Sequence, residues 1–427
     1  MVTKRGERHH HPHRPRFGGR GYFQRVGPGL VTGAADDDPS GIGTYSQVGA
    51  AFGFQFLWTA LAALPLAIAV QEATARLGLF SGKGLAVLIK QEFPKWVLYL
   101  ALTLVVGANS FNIGADLGSM AAATRLLIPI PQTVLVVVFA CVMALLEIAI
   151  PYRQYSKVLR WLCLSLVSYI AVLFIVNVSW SEVVRNVLVP SISFHRAEIA
   201  AVIAIFGTTI SPYLFFWQTS EEVEEGPVRA GDSPQHVRMH LRAMRGDVTA
   251  GMFSGVSVMF AIMVTSAASL HANGIFTVGT AEEAARALEP LAGSSAKVLF
   301  AIGILGTGLL AVPVLAGASS YAISEALGWK EGLSLKLSQA RGFYYVILGS
   351  MLLGLAMNFI GLNPVRALYL SAILNGLAAP PLIVMILLLS RRKHVLGEHT
   401  SGRISQTVVG IAALASALLP IAYILAK

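Results

Sequence analysis

GAADDDPSGIG, residues 33–43, sets three consecutive aspartates, Asp36, Asp37 and Asp38, inside a stretch otherwise composed like a membrane span. GPGLVT precedes it and TYSQVGAAFGF follows it, both apolar and small. A carboxylate at the bilayer centre costs about 2.5–3.5 kcal/mol on insertion scales, so three in succession need water, an ion or one another. Pro39 lacks an amide hydrogen and its ring collides with the carbonyl four residues back, while Gly41 and Gly43 weaken the next turn. The stretch therefore predicts a helix broken near residues 38–41. Broken backbone at membrane depth survives only where it is buried in protein or lines a cavity.

Around this stretch the chain is apolar throughout. Of its 427 residues 55% are hydrophobic and 13% charged, with a mean hydropathy of +0.67, whereas soluble domains carry roughly 25% charged residues. These values define an integral membrane protein with no room for a large soluble domain. About eleven apolar segments recur, at 28–50, 55–76, 96–123, 131–150, 159–178, 198–220, 247–271, 294–324, 342–360, 365–389 and 406–426. Each is long enough to cross roughly 30 Å of hydrocarbon as a helix. A β-barrel is excluded, since its strands would be about 10 residues long and alternate in polarity. The expected architecture is all-α, with a basic tail over 1–25 and a transmembrane domain over 26–427.

Basic residues set the orientation. Lys4, Arg5, Arg8, Arg14, Arg16, Arg20 and Arg25 precede the first span, and the loops after even-numbered spans hold Lys83, Lys90 and Lys95, Arg153 and Lys157, Arg229, Arg238, Arg242 and Arg245, Lys330, Lys336 and Arg341, and Arg391, Arg392 and Lys393. The positive-inside rule then puts the N-terminus in the cytoplasm and, after an odd number of spans, the C-terminus outside the cell membrane. The net charge of +10 is spread over these loops and forms no single patch, so nucleic acid is not an expected partner. RGERHHHPHRPR, residues 5–16, reads as a solvated, disordered tail beside anionic lipid in preference to a metal-gathering histidine cluster. It lacks the apolar core and cleavage site of a signal peptide. Cys141 and Cys163 fall inside spans and read as packing residues, neither a disulfide framework nor a soft-metal site. No cofactor is expected, and the chain is read as a monomer.

Five spans later the pattern repeats. AIFGTTISPYLFFWQTSEEVEE, residues 204–225, places Pro212 in mid-span with Thr208, Thr209 and Ser211 before it and Tyr213 and Gln218 after it. Because five is odd, spans 1–5 (about 28–178) and 6–10 (about 198–389) enter the membrane from opposite sides, leaving 406–426 as an extra helix. Paired interrupted helices at corresponding positions of an inverted repeat point to a midplane binding site. The alternative is a pair of simple proline kinks, with Asp38 capping the helix that restarts after Pro39.

With both breaks in view, the chain resembles the Nramp family of divalent-metal transporters, which have the LeuT-type fold. The family's DPGN in the first helix is matched by Asp38-Pro39-Ser40-Gly41, its MPH in the sixth by Ser211-Pro212-Tyr213, and its TDLAE in the third by GADLG at 114–118. The likeness spans most of residues 25–425. It implies a metal site at Asp38, Gly41 and Ser211 and at the backbone carbonyls of Ala35 and Thr208. The family's amide and thioether are missing here, and an oxygen-only site favours hard cations over soft ones. The shorter side chains imply a wider cavity suited to partly hydrated Mg²⁺, which sheds its waters reluctantly. The chain looks like the Nramp-related magnesium transporter branch, and Mn²⁺, whose ligand taste overlaps that of Mg²⁺, is an expected second substrate.

The resemblance also bears on coupling. The family's proton route uses third-helix carboxylates and sixth-helix histidines; here Asp116 remains, while Asn109, Ser119, Tyr213 and Gln218 stand at the other positions. Strong proton coupling is therefore not expected. Asp116 reads equally as a charge partner or a helix-packing residue. Asp36 and Asp37 point about 200° and 100° away from Asp38 around a helix. At least one of them reads as lining an aqueous vestibule that concentrates cations, and Asp36 equally as a hydrogen-bonding partner inside the bundle. Asn375 reads as glue between helices before it reads as a substrate contact. Glu221 and Glu222 read first as a solvated face and second as vestibule groups.

A proton-coupled Mn²⁺/Fe²⁺ transporter of the same family is the main alternative. An amino-acid symporter of this fold is opposed by Asp38, which repels a substrate carboxylate. An intramembrane aspartyl protease would carry GxGD, where the chain reads IGAD at 113–116. No enzyme is expected, and paired broken helices favour alternating access over a channel.

Overall fold

The computed structural model describes residues 32–33, 35–150, 166–228 and 231–426. The tail over 1–25, Arg153, Lys157, Cys163 and Arg229 lie outside the described residues, as do the starts of the first and fifth predicted spans.

The first helix is interrupted, slightly earlier than predicted. Helical backbone ends at Asp36, Asp37 bends, and Asp38 is extended (φ −68°, ψ 169°). Helix α1, Pro39–Phe52, then starts with proline at its first turn and Asp38 as its cap. Proline has no amide to lose at that position, so Gly41 and Gly43 lie inside α1 and not in the break. The chain continues through α2 (Trp58–Ser81), the short α3 (Leu85–Glu92), α4 (Lys95–Thr124), α5 (Gln132–Ala149), α6 (Val167–Val172) and α7 (Trp180–Leu188). The second interrupted helix is α8 (Arg196–Thr209) and α9 (Pro212–Glu225), separated by Ile210 and Ser211, with Pro212 again in the first turn. Then follow α10 (Pro234–Ser269), α11 (Ala281–Arg286), α12 (Ala296–Leu327), α13 (Arg341–Met357), α14 (Pro364–Ser390) and α15 (Arg403–Leu425).

Among the described residues eight helices are long and apolar enough to cross a membrane, with Arg341–Met357 a shorter apolar one. The most apolar window of Arg196–Glu225 is 94% buried, against 28% for Gln132–Ala149 and 22% for Arg403–Leu425. The second broken helix is thus the axis of the bundle, and α5 and α15 form its rim. Cys141, on α5, is exposed, so it faces outward and does not pack as predicted.

Backbones touch where glycines face one another. A Cβ on Gly207 of α8 would lie 2.3 Å from the Gly376 amide of α14, and one on Gly114 of α4 would lie 2.6 Å from the Gly354 carbonyl of α13. Without a hydrophobic drive between helices in lipid, such close contact supplies much of the association.

Polar contacts close the two ends of the bundle. At one end Gln55 donates to Glu198 at 3.1 Å, and Gln47 accepts from the Val278 amide at 2.8 Å. At the other, Arg245 pairs with Glu72 at 2.9 Å, Arg392 and His394 meet Glu92, and Glu325 accepts from the Ala86 amide at 2.8 Å. Burial works to raise the Glu92 carboxyl, but hydrogen bonds from His394 and Arg392 outweigh it and hold it below the usual carboxylate range. Glu221 and Glu222 belong to this end and are 7% and 6% exposed, which corrects their reading as a solvated face. Glu222 accepts from Gln218 at 3.0 Å, and the Tyr321 hydroxyl of α12 bonds Glu224 and reaches Glu221 at 3.5 Å. The acidic turn is turned toward α12, which periodicity within α9 alone could not reveal.

Gly114→Val tests the helix contact. The added carbons must separate α4 from α13, an overpacking cost of about 1–3 kcal/mol, so the melting temperature in detergent is expected to fall. Gly107→Ala, on the same helix with nothing within 4 Å of its Cβ, is expected to hold or raise it through helix propensity.

Candidate metal centre

Asp38 sits where the two broken helices meet and is 1% exposed. Its Oδ1 accepts from the Gly41 amide and the Ser40 hydroxyl, each at 2.7 Å, and its Oδ2 from the Asn112 amide of α4 at 2.9 Å. The capping role weighed for Asp38 is therefore present. It does not compete with ion binding, since a carboxylate oxygen carries two lone pairs and Asn112 engages only one of those on Oδ2.

The candidate backbone ligands come from the ends of the half-helices. The Ala35 carbonyl lies before the first break and the Thr208 carbonyl in the last turn of α8, where helix carbonyls lack intrahelical partners and the dipole is negative. Both are engaged in this conformation: Tyr213 donates to Ala35 O at 2.9 Å, and Ser211 Oγ to Thr208 O at 2.8 Å and Gly207 O at 3.0 Å. The Ser211 hydroxyl is thus turned back onto α8. Ser40 Oγ lies 3.5 Å from Thr208 Oγ1, joining the two breaks.

Gly41 is a point of contact between them. A Cβ there would meet Thr208 Oγ1 and the Tyr45 ring, each at 3.3 Å, so the space a longer side chain would occupy is taken up and the widening expected at this position is not seen. Tyr45 also bonds Thr209 Oγ1 at 2.9 Å, a second tie from α1 to α8.

The accessory candidates separate. Asp116 is fully buried one turn beyond Asn112, and both its carboxylate oxygens lack a hydrogen-bond partner among the described residues. Gln218 accepts from Thr32 at 2.6 Å and reaches down α9 to Glu222, away from Asp38. Asn375 is buried with both amide atoms unpartnered among the described residues, beside the Gly376 that seats α14 on α8. Asp36 and Asp37 are buried, and their carboxylates face α10 near Gly255. Asn112 was missed by sequence reasoning. Its signal was spacing: four residues before Asp116, it shares that residue's face of α4.

Two interrupted helices, meeting at a buried carboxylate and at the carbonyls that end their first halves, define the LeuT-type fold of a multi-pass membrane protein. Residues 29–426 match the family model described as natural resistance-associated macrophage protein-like, and the chain belongs to this Nramp family. It is similar to the divalent metal cation transporter MntH of Caldanaerobacter subterraneus subsp. tengcongensis, 26% identical over 88% of this chain and 87% of the relative. It is also similar to that of Deinococcus radiodurans, 27% identical over 90% and 85%. Its fold matches the crystal structure of the Eremococcus coleocola manganese transporter bound to an aromatic bis-isothiourea substituted compound, with a TM-score of 0.75 at 18% identity, covering 92% of this chain and 84% of that one.

Asn112→Ala removes one of the three donors that orient Asp38. Loss of such a supporting hydrogen bond typically costs about 10–100-fold in metal affinity, and a fall of that order in Mn²⁺ affinity is expected by titration of the purified protein. An unchanged affinity would show that Asn112 does not support the ligand.

Proposed function

We propose that this chain carries divalent metal cations across the cell membrane by alternating access, with Mg²⁺ as the preferred ion, Mn²⁺ as a second substrate and no strong proton coupling. Asp38 supplies the charge. The Ala35 and Thr208 carbonyls are the backbone ligands, exchanging Tyr213 and Ser211 for the ion as it enters. Gly41 and the Ser211 hydroxyl stand where the rest of the family's ligands are expected.

The observation that carries this reading is the donor set at the break: one carboxylate, carbonyls and hydroxyls of Ser40, Thr208 and Ser211, all oxygen. Oxygen donors suit hard cations, and the absence of sulfur at the Ser211 position lowers the preference for softer ones. Alternating access is supported by burial of the centre and by the Tyr45–Thr209 and Tyr213–Ala35 bonds, which tie one repeat to the other and must part for either side to open. The N-terminus is assigned to the cytoplasm on the distribution of basic loops, and Asn375 is read as a helix contact that an ion can recruit.

One observation favours a second reading, the proton-coupled Mn²⁺/Fe²⁺ transporter. Asp116, the carboxylate retained from the family's proton route, is fully buried on the face of α4 that also carries Asn112, the donor to Asp38. A pH-sensitive dye inside liposomes separates the two. Uptake of Mg²⁺ and Mn²⁺ is expected without matching acidification, and acidification that scales with uptake would favour the second.

Asp38→Ala is expected to abolish Mg²⁺ and Mn²⁺ uptake while the protein stays folded, because loss of a helix cap typically costs about 1 kcal/mol. Normal uptake by a folded variant rejects Asp38 as the ion's ligand. Ser211→Met restores a soft donor and is expected to raise Cd²⁺ competition against Mg²⁺ uptake modestly, since its neighbours are not arranged to orient a thioether.

A further inference from the structure

The broken first helix has a second acidic side. Gly255 of α10 leaves a gap where any other residue would start a side chain. The three nearest atoms to that point are all oxygens of the first helix: Asp36 Oδ2 at 3.4 Å, the Gly33 carbonyl at 3.5 Å and Asp37 Oδ1 at 3.8 Å. The approach is set by backbone, because a Cβ on Gly33 would lie 2.3 Å from the Gly251 carbonyl, one turn before Gly255. The two carboxylates are 2% and 5% exposed. Asp36 Oδ1 is buried without a hydrogen-bond partner, and among the described residues neither carboxylate forms an ion pair.

We propose that Gly33, Asp36, Asp37 and Gly255 form a second seat for a hard divalent cation on the α10 side of the break, separate from the Asp38 centre on the α4 and α8 side. Two adjacent buried carboxylates repel each other and Asp38, and a buried ionised carboxylate is costly unless a positive charge or donors face it. Here donors are scarce and oxygens converge. Two carboxylates and a carbonyl are the donor types of Mg²⁺, Ca²⁺ and Mn²⁺ sites. Glycine at 255 keeps the gap open. This seat goes beyond the transport reading and does not depend on Asp38 being a ligand.

The test counts bound Mn²⁺ on the purified full-length protein, from the loss of the free-ion electron paramagnetic resonance signal during titration. Two Mn²⁺ per chain are expected for the wild type and one for Asp38→Ala. One is also expected for Gly255→Ala, whose methyl group would fill the seat while making only ordinary van der Waals contacts, none closer than 3.4 Å. The double variant Asp36→Asn, Asp37→Asn keeps side-chain volume, removes the charge and is expected to lose the same ion, which covers the case that Gly255→Ala does not fold. Gly255→Ala or the double variant binding as many ions as wild type overturns the second seat, as does a single wild-type ion that disappears with Asp38→Ala. A single ion lost in Gly255→Ala but kept in Asp38→Ala upholds the seat and rejects Asp38 as the ligand, so the two readings fail separately.

Discussion

Everything in this bundle is arranged around negative charge held where water is scarce. Three consecutive aspartates stand at the break of the first helix, all nearly inaccessible, in a setting where a charge without compensation is strongly disfavoured. The chain meets this constraint unevenly. Asp38 takes three donors, two from the start of α1 and one from Asn112 across on α4. Asp36 and Asp37, on other sides of the helix, take far fewer among the described residues and face Gly255 of α10. That asymmetry separates a carboxylate held in position by donors from two that are short of them among the described residues.

The breaks also decide which helix ends surround the charge. Each interrupted helix brings a C-terminus, with free carbonyls, and an N-terminus, with free amides, to the same depth. Asp38 caps the N-terminus of α1 itself, so the helix-end groups left for other partners are the carbonyls before the first break and at the end of α8. In this conformation Tyr213 and Ser211 occupy those carbonyls. These hydroxyls satisfy carbonyls that the helix ends leave without backbone partners. Of these bonds the one from Tyr213 to Ala35 also links the two repeats, as does that between Tyr45 and Thr209.

Away from the centre, glycine contacts and buried acids set how the halves meet. Gly207 against Gly376 and Gly114 against Gly354 bring backbones close enough that side chains at those positions would separate the helices. At the end of α9, the bonds among Tyr321, Glu221 and Glu224, and between Ser220 and Glu325, carry the half-helix onto α12 and α3. The same helix, α9, begins at the centre.

Composition and spacing alone established the helical membrane class, the two proline breaks and the relation between them, because apolar length and the missing proline amide act locally. Asp38 was legible for the same reason: a lone motif, DPSG, ties the acid to the break. What lay across space was not legible. The donor on Asp38 comes from Asn112, 74 positions along the chain, and the space beside Gly41 is taken up by Thr208 and Tyr45. Glu221 and Glu222 look solvated along α9, yet Tyr321 of α12 reaches Glu221 and Glu222 packs against Gly78 of α2. The oxygens around Gly255 converge only because glycines let α10 approach the first helix. Periodicity states which residues share a face of one helix; it cannot state which other helix that face meets, and that pairing is decided by tertiary packing.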